Sequence, residues 1–413
     1  MLKRTAALLL IAAASFTTLA EEPWSRFRGP NGTGISETPA PTQWSDGEYR
    51  WKTELPGEGH SSPILFGGHV YVTCTNPQTA EQLVVAVSAA DGKIAWKLSL
   101  ESHPYPHHAF NSFASATPAA DDHHIYVPVS SVDHYQLVAV THEGKEAWRY
   151  EIGDFKSQHG SGASPVVYKD MVILPDDQDG QSAIVALGAA DGKPRWKTDR
   201  KSGMAAYATP SVFTTPDGKD QLIFASQASG ITALDPATGK ALWELPDLFN
   251  KRVVASPTVA GGFVVAGCGE GGGGKRLVVV KPPTPSSAQP PQIAYEVDKA
   301  LPYVPTPLYR DGLLFILNDG GIGTCLDAAT GAVKWRERVG GESFASPVCA
   351  GGVIYCVSRA GEVVALRFAD KLEILGRSNL GEPSSATPAV HDGTIYLRTP
   401  HYLVAVGARL AAR

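Results

Sequence analysis

The stretch IVALGAADGKPRW (residues 184–196) decides the fold, because related copies stand at VVAVSAADGKIAW (84–96), LVAVTHEGKEAW (137–148), ITALDPATGKALW (231–243) and GTCLDAATGAVKW (323–335). Each copy is an apolar strand, a tight turn and a second strand that carries a tryptophan: Trp96, Trp148, Trp196, Trp243 or Trp335. The Asp-Gly and Thr-Gly steps supply the positive φ that a tight hairpin demands. A tryptophan at a fixed distance after the turn predicts a large ring filling space between neighbouring repeats.

Upstream of these hairpins lies a second recurrent element, a small residue followed by proline and an apolar strand. It occurs eight times: SSPILFGGHVYV (61–72), ATPAADDHHIYVPV (116–129), ASPVVYKDMVIL (163–174), ATPSVFTTPDGKDQLIFA (208–225), ASPTVAGGFVVAG (255–267), PTPLYRDGLLFIL (305–317), ASPVCAGGVIYC (345–356) and ATPAVHDGTIYL (386–397). The marker prolines Pro63, Pro118, Pro165, Pro210, Pro257, Pro307, Pro347 and Pro388 are 40 to 55 residues apart. Four short strands at that period read as propeller blades. The eighth copy stops after its third strand, YLVAVGARL (402–410), whereas YRWKTELPG (49–57) is a fourth strand with no blade of its own. Pairing the two would close the ring and remove its exposed edges. The expected fold is therefore all-β: an eight-bladed β-propeller of four-stranded antiparallel blades, with Trp51 completing the last. Copies five and seven carry Tyr295 and Ile374 in place of the tryptophan, and copy five has the insertion KPPTPSSAQPPQ (281–292), so those blades are expected to pack less regularly.

Composition agrees: 43% hydrophobic and 19% charged residues in a chain of 413 suit a large core, and 42 Gly with 31 Pro suit many turns rather than long helices. The net charge of -5, which becomes -7 without Lys3 and Arg4, provides no broad basic surface for nucleic acid. Residues 1–20, MLKRTAALLLIAAASFTTLA, read as a secretory signal peptide, followed by an N-terminal extension at 21–48 and the propeller at 49–410. No later apolar run is long enough to span a membrane. The first cysteine is Cys74, so no lipid-bearing Cys follows the leader. The expectation is an exported monomer, periplasmic or secreted, with no integral membrane segment. Five cysteines leave at least one unpaired within the chain. Cys74, Cys268 and Cys356 each end an apolar strand and read as one buried position of the repeat; Cys349 with Cys356 is the pairing to consider if a disulfide forms.

The blade signature A-x-D/T-G-K-x-x-W, present as AADGKIAW, AADGKPRW, PATGKALW and AATGAVKW, resembles that of the pyrroloquinoline quinone (PQQ) repeat propellers over residues 50 to 410. Three kinds of member are relevant. The resemblance to quinoprotein dehydrogenases implies PQQ and Ca²⁺ in the propeller axis, but the adjacent Cys pair common in the alcohol enzymes is absent here. The BamB-type kind implies an eight-bladed periplasmic scaffold that binds another protein. The extension WSRFRGPNGTG (24–34) resembles that of exported planctomycete-type propellers. Physically, its two aromatics and two arginines read as a plug on one face of the ring, with carboxylate binding by Arg26 and Arg28 as the alternative.

In a propeller the segments that enter the innermost strands surround the channel mouth, which makes the residues ahead of the marker prolines the candidate ligand-binding set. They are Glu58, His60, Asn111, Gln158, His159, Tyr207, Arg252 (beside Lys251), Tyr303, Glu342 and Ser384. The alternative is that they only solvate a water-filled channel. Ten of the twelve histidines lie between His60 and His159, with clusters SHPYPHH (102–108) and DDHH (121–124) that read as exposed loops rather than metal sites. GEGGGGKR (269–276) lacks the Ser or Thr of a phosphate loop and reads as a glycine-rich hairpin. DDQDG (176–180) reads as a solvated turn rather than a calcium loop, and Asn31-Gly-Thr33 is a glycosylation sequon. No catalytic residue or metal ligand stands out. The functional expectation is a binding or scaffold module that offers its channel mouth to a protein, peptide or saccharide; the alternative is a PQQ- and calcium-dependent periplasmic dehydrogenase of alcohols or sugars.

Overall fold

The computed structural model describes residues 21–131, 134–284 and 289–407, so the signal-peptide reading of residues 1–20 lies outside the described residues. The chain forms eight four-stranded antiparallel sheets arranged as a β-propeller, with only two 3₁₀ turns, Pro30–Gly32 and Asp46–Glu48, among the described residues. Each blade runs outward from the axis in chain order; blade 1, for example, is Ile64–Phe66, His69–Thr75, Gln82–Ser88 and Ile94–Leu100. Blade 8 departs from that order as expected: Trp51–Glu54 pairs antiparallel with Tyr402–Gly407, with Trp51 opposite Ala405.

Neighbouring blades are joined by the tryptophans. Trp51, Trp96, Trp148 and Trp196 donate their indole N–H groups to Ala89, His142, Ala189 and Pro236 of the next blade at 2.8 to 3.1 Å. Their rings cover Gly92, Gly144, Gly192 and Gly239, all at positive φ, so closely that an added Cβ would lie 2.5 to 2.7 Å from a ring atom. Glycine is thus required twice over, for the turn and for the ring that lies on it.

The tryptophan missing from blade 5 is made good by another ring. Tyr295 performs the tryptophan's task, donating to Ala328 O at 2.8 Å and covering Gly331. Trp243 of blade 4 is the exception: its indole donates within its own blade, to Gln221 Oε1 at 2.7 Å. The next blade has the 281–292 insertion where the others present a turn. In blade 7, Ile374 is 43% exposed.

All five cysteines are buried and free. Cys349 pairs in register with Ile354 and Cys356 with Val364, so the two cysteines are not opposed across their hairpin. Cys74 and Cys268 are equivalent, three residues beyond the partners of Ile64 and Thr258, while Cys356 is only one beyond the partner of Val348. The same face is kept, one pleat apart.

The extension is a plug. Trp24 O accepts from Leu65 N in blade 1, Ser25 O from Ala120 N in blade 2, and Gly34 O from Cys349 N in blade 7, so the segment crosses the axis by way of backbone bonds. Ile35–Ser36 then adds a parallel fifth strand to the inner edge of blade 7. Arg26 and Arg28 are buried and donate to the carbonyls of Pro210 and of Pro307 and Pro347, rather than to carboxylates. Asn31 is committed at both ends of its amide to the backbone of Val212, at 2.7 Å each way.

Candidate functional site

With one end of the channel plugged, the other is a funnel of about 930 Å³ whose lining includes Phe27, a plug residue. Its inner wall is a ring of hydroxyls. The residue before each marker proline is, in order, Ser62, Thr117, Ser164, Thr209, Ser256, Thr306, Ser346 and Thr387. At seven of the eight junctions the backbone N–H of one member donates to the next blade's hydroxyl at 2.9 to 3.1 Å, including the closing bond from Thr387 to Ser62. This satisfies backbone donors that point at the axis, where no strand could pair with them.

The structure brings eight of the ten sequence candidates into this lining: His60, Asn111, Gln158, His159, Tyr207, Arg252, Tyr303 and Glu342. Two lie elsewhere. Glu58 bridges Thr75 through its backbone, and its carboxylate lies 3.9 Å from His401 on the surface. Ser384 is buried with its hydroxyl donating to Arg398 O at 2.7 Å, and Ser385 takes the lining position. Lys251 is paired with Glu270 at 2.8 Å.

The funnel's charges are mostly neutralised in pairs. Lys275 meets Asp319 at 2.5 Å, and Arg359 meets Glu342 at 3.2 Å. Asp319 also accepts from the backbone of Tyr303 and Val304 at 2.9 and 3.0 Å. Arg252 is different: it is 6% exposed and donates from Nη1 to Ala205 O at 2.9 Å. Burial pulls the His60 imidazole down to about 4, helped by the charges of Arg398 and Arg359, so the ring is neutral at pH 7. Burial likewise lowers His159, with Arg252 adding to the effect, and holds the Tyr303 hydroxyl up at about 12.

At the rim, Phe110 from the loop between blades 1 and 2 meets Phe344 of the blade 7 approach edge to face, with centroids 5.5 Å apart. The Arg359 guanidinium lies 4.2 Å from the Phe110 ring centre and 4.6 Å from that of Phe344. In the same loop His108 stacks on His159 at 5.0 Å, and Asn111 donates to the carbonyls of His159 and Ser161. The histidine-rich loop is therefore one wall of the funnel mouth. His124, in the second cluster, lies against Trp148 and Ala189 O instead.

Sequence reasoning missed the hydroxyl ring, although a Ser or Thr before every marker proline was its signal. Phe110, Phe344 and Arg359 come from loops with no repeat signature and left no comparable trace. The reading of 176–180 as a solvated turn is corrected, since Asp176, Asp177 and Gln178 are all buried. Asp177 is paired with Arg200 at 2.7 Å, and burial pushes the Asp176 carboxyl up to about 7 even though Gln178 donates to it. The glycine-rich hairpin reading of 269–276 holds, with Glu270 opposite Gly273.

The donor set does not suit calcium beside a quinone. Glu270, Asp319 and Glu342 are each held by a separate cation, and no group of three or more His, Cys, Asp or Glu converges among the described residues. The rim phenylalanines are at 61° to each other, not parallel as the walls of a flat slot would be.

Among known proteins, the family described as outer membrane protein assembly factor BamB matches over residues 35–112, 80–290 and 298–412. The outer membrane protein assembly factor BamB of Yersinia pestis is 26% identical over 235 residues, 55% of this chain and 53% of that protein. The match thus spans about half the length of that curated relative. In fold, the chain is similar to BamB from Moraxella catarrhalis (TM-score 0.63, 15% identity, covering 86% of this chain and 98% of that one). It is also similar to a europium-containing methanol dehydrogenase (TM-score 0.65, 14% identity, 91% and 89% covered). The quinohemoprotein alcohol dehydrogenase of Comamonas testosteroni gives a TM-score of 0.61 at 15% identity, with 95% and 81% covered. At these identities the solved structures speak to the fold alone.

Proposed function

The chain belongs to the family of the outer membrane protein assembly factor BamB, and from that premise we propose that it is an exported, monomeric binding module whose funnel receives a segment of a protein partner. The observation that carries this reading is the one-ended channel: the plug closes one face, and the other opens through a rim on which Phe110 is 51% and Met204 42% exposed. Apolar side chains left open around a polar cavity suit a partner that buries them. A saccharide would want aromatic faces to stack on, but the Arg359 guanidinium takes one face of each rim phenylalanine and the Arg252 guanidinium lies 5.8 Å from the Tyr207 ring centre.

The test is photo-crosslinking in the native host, with p-benzoylphenylalanine placed at Met204 on the rim or at Leu242 on an outer strand. Discrete protein adducts from position 204 and none from 242 support the reading. Adducts from neither, together with a thermal shift and dye-linked alcohol oxidation on adding PQQ and Ca²⁺ to the purified chain, would favour the dehydrogenase reading instead.

A further inference from the structure

One cation of the funnel lining stands outside its ion pairs. The funnel's three carboxylates, Glu270, Asp319 and Glu342, pair with Lys251, Lys275 and Arg359. Arg252 alone among the lining cations has no carboxylate partner among the described residues, although it is more than nine-tenths buried. A guanidinium carries five N–H donors in a planar fork, and Ala205 O takes only one of its nitrogens. The enclosed guanidinium nitrogens without a partner belong to Arg26, Arg28 and Arg398, whereas the free nitrogens of Arg252 open on the funnel, where a ligand's negative charge can meet them.

We propose that Arg252 anchors a carboxylate presented by the peptide segment that enters the funnel. This rests on the reading of the funnel as a receptor for a protein segment, and it adds the chemistry of what that segment must carry. The surroundings agree. Tyr207 and Tyr303 stand on either side of Arg252 in the lining, and burial raises both hydroxyls, which keeps them protonated and able to donate. His159 is neutral, with its Nδ1 buried and unpartnered. Beneath them the ring of Ser and Thr hydroxyls offers further polar contacts for a backbone. Two parallel N–H bonds from guanidinium to carboxylate would fix the segment's orientation as well as its affinity.

The experiment uses the full chain after the leader and fluorescein-labelled nonapeptide mixtures whose flanking positions are randomised over uncharged residues. One mixture has a central Glu and an amidated end, a second a central Gln and a free C-terminal carboxylate, and a third a central Gln and an amidated end. We expect one or both carboxylate-bearing mixtures to bind about tenfold or more tighter than the third, with the stronger of the two showing whether side chain or chain end is read. Arg252→Gln should remove that difference while the thermal midpoint and near-ultraviolet spectrum are kept. The Glu-versus-Gln contrast is made on the unaltered chain, so it stands even if the variant fails to fold. Equal binding of all three mixtures overturns the carboxylate anchor and leaves the binding-module reading intact. No binding by any mixture overturns both. Binding of oligogalacturonate through Arg252 in their place would overturn the assignment to a peptide.

Discussion

Trp196 of blade 3 lies on Gly239 of blade 4, where an added Cβ would sit 2.5 Å from the indole, while its N–H donates to Pro236 O at 3.0 Å. One ring thus reads both the backbone conformation and the side-chain absence of the next blade's turn. Gly239→Ala should therefore cost about 1–3 kcal/mol through overpacking and the positive φ together. Gly218→Ala, also at positive φ but with open space around it, should cost less. Urea unfolding of the two variants checks the contrast.

Trp51 closes the circle, since it is both the outer strand of blade 8 and the ring that lies on Gly92 of blade 1. Trp51→Ala should lower stability by about 3–5 kcal/mol, at the upper end for a single core truncation. Deleting residues 49–57 should go further, exposing the Tyr402–Gly407 edge and producing concentration-dependent aggregation in light scattering.

His60 makes acid a destabilising condition. Its imidazole titrates near 4 in the native state against 6.5 when unfolded, so the unfolded chain takes up a proton that the native chain refuses. Its contribution is complete above pH 6.5 and drains away as pH falls towards 4, amounting to about 3 kcal/mol. His60→Gln should flatten the stability profile over that window.

Asp176 acts in the opposite direction. Its native carboxyl titrates near 7 rather than 3.8, so its contribution is complete below pH 3.8 and is lost as pH rises through 7. Asp176→Asn, which keeps one acceptor for Gln178, should raise the denaturation midpoint at pH 8 while changing it little at pH 4.

The fold was legible because a repeat states the same constraint many times. Any one turn-and-tryptophan segment is ambiguous, but the marker prolines fix the blade count, and the strand around Trp51 finds its partner in Tyr402–Gly407. The funnel was half legible for the same reason: positions reckoned from the prolines landed eight candidates in the lining. What escaped was set by tertiary context. Glu58 misses the funnel because its backbone bridges to Thr75 and turns the side chain to the surface. Phe110 and Phe344 meet across the mouth from loops far apart in sequence, a contact that no local period encodes. The burial of Asp176 to Gln178 was hidden because an acidic, polar run normally means solvent, and only the pairing of Asp177 with Arg200 reveals otherwise.

The hydroxyl ring carries a rule of parity. Serine stands on blades 1, 3, 5 and 7 and threonine on blades 2, 4, 6 and 8, so every Ser hands its N–H to a Thr and every Thr to a Ser wherever the bond is formed. Such an alternation closes on itself only with an even number of units. Losing or gaining one blade would set two like residues side by side at the seam, whereas losing or gaining two would leave every neighbour with its proper complement. The unit in which this circle can grow or shrink without a flaw is therefore the pair of blades.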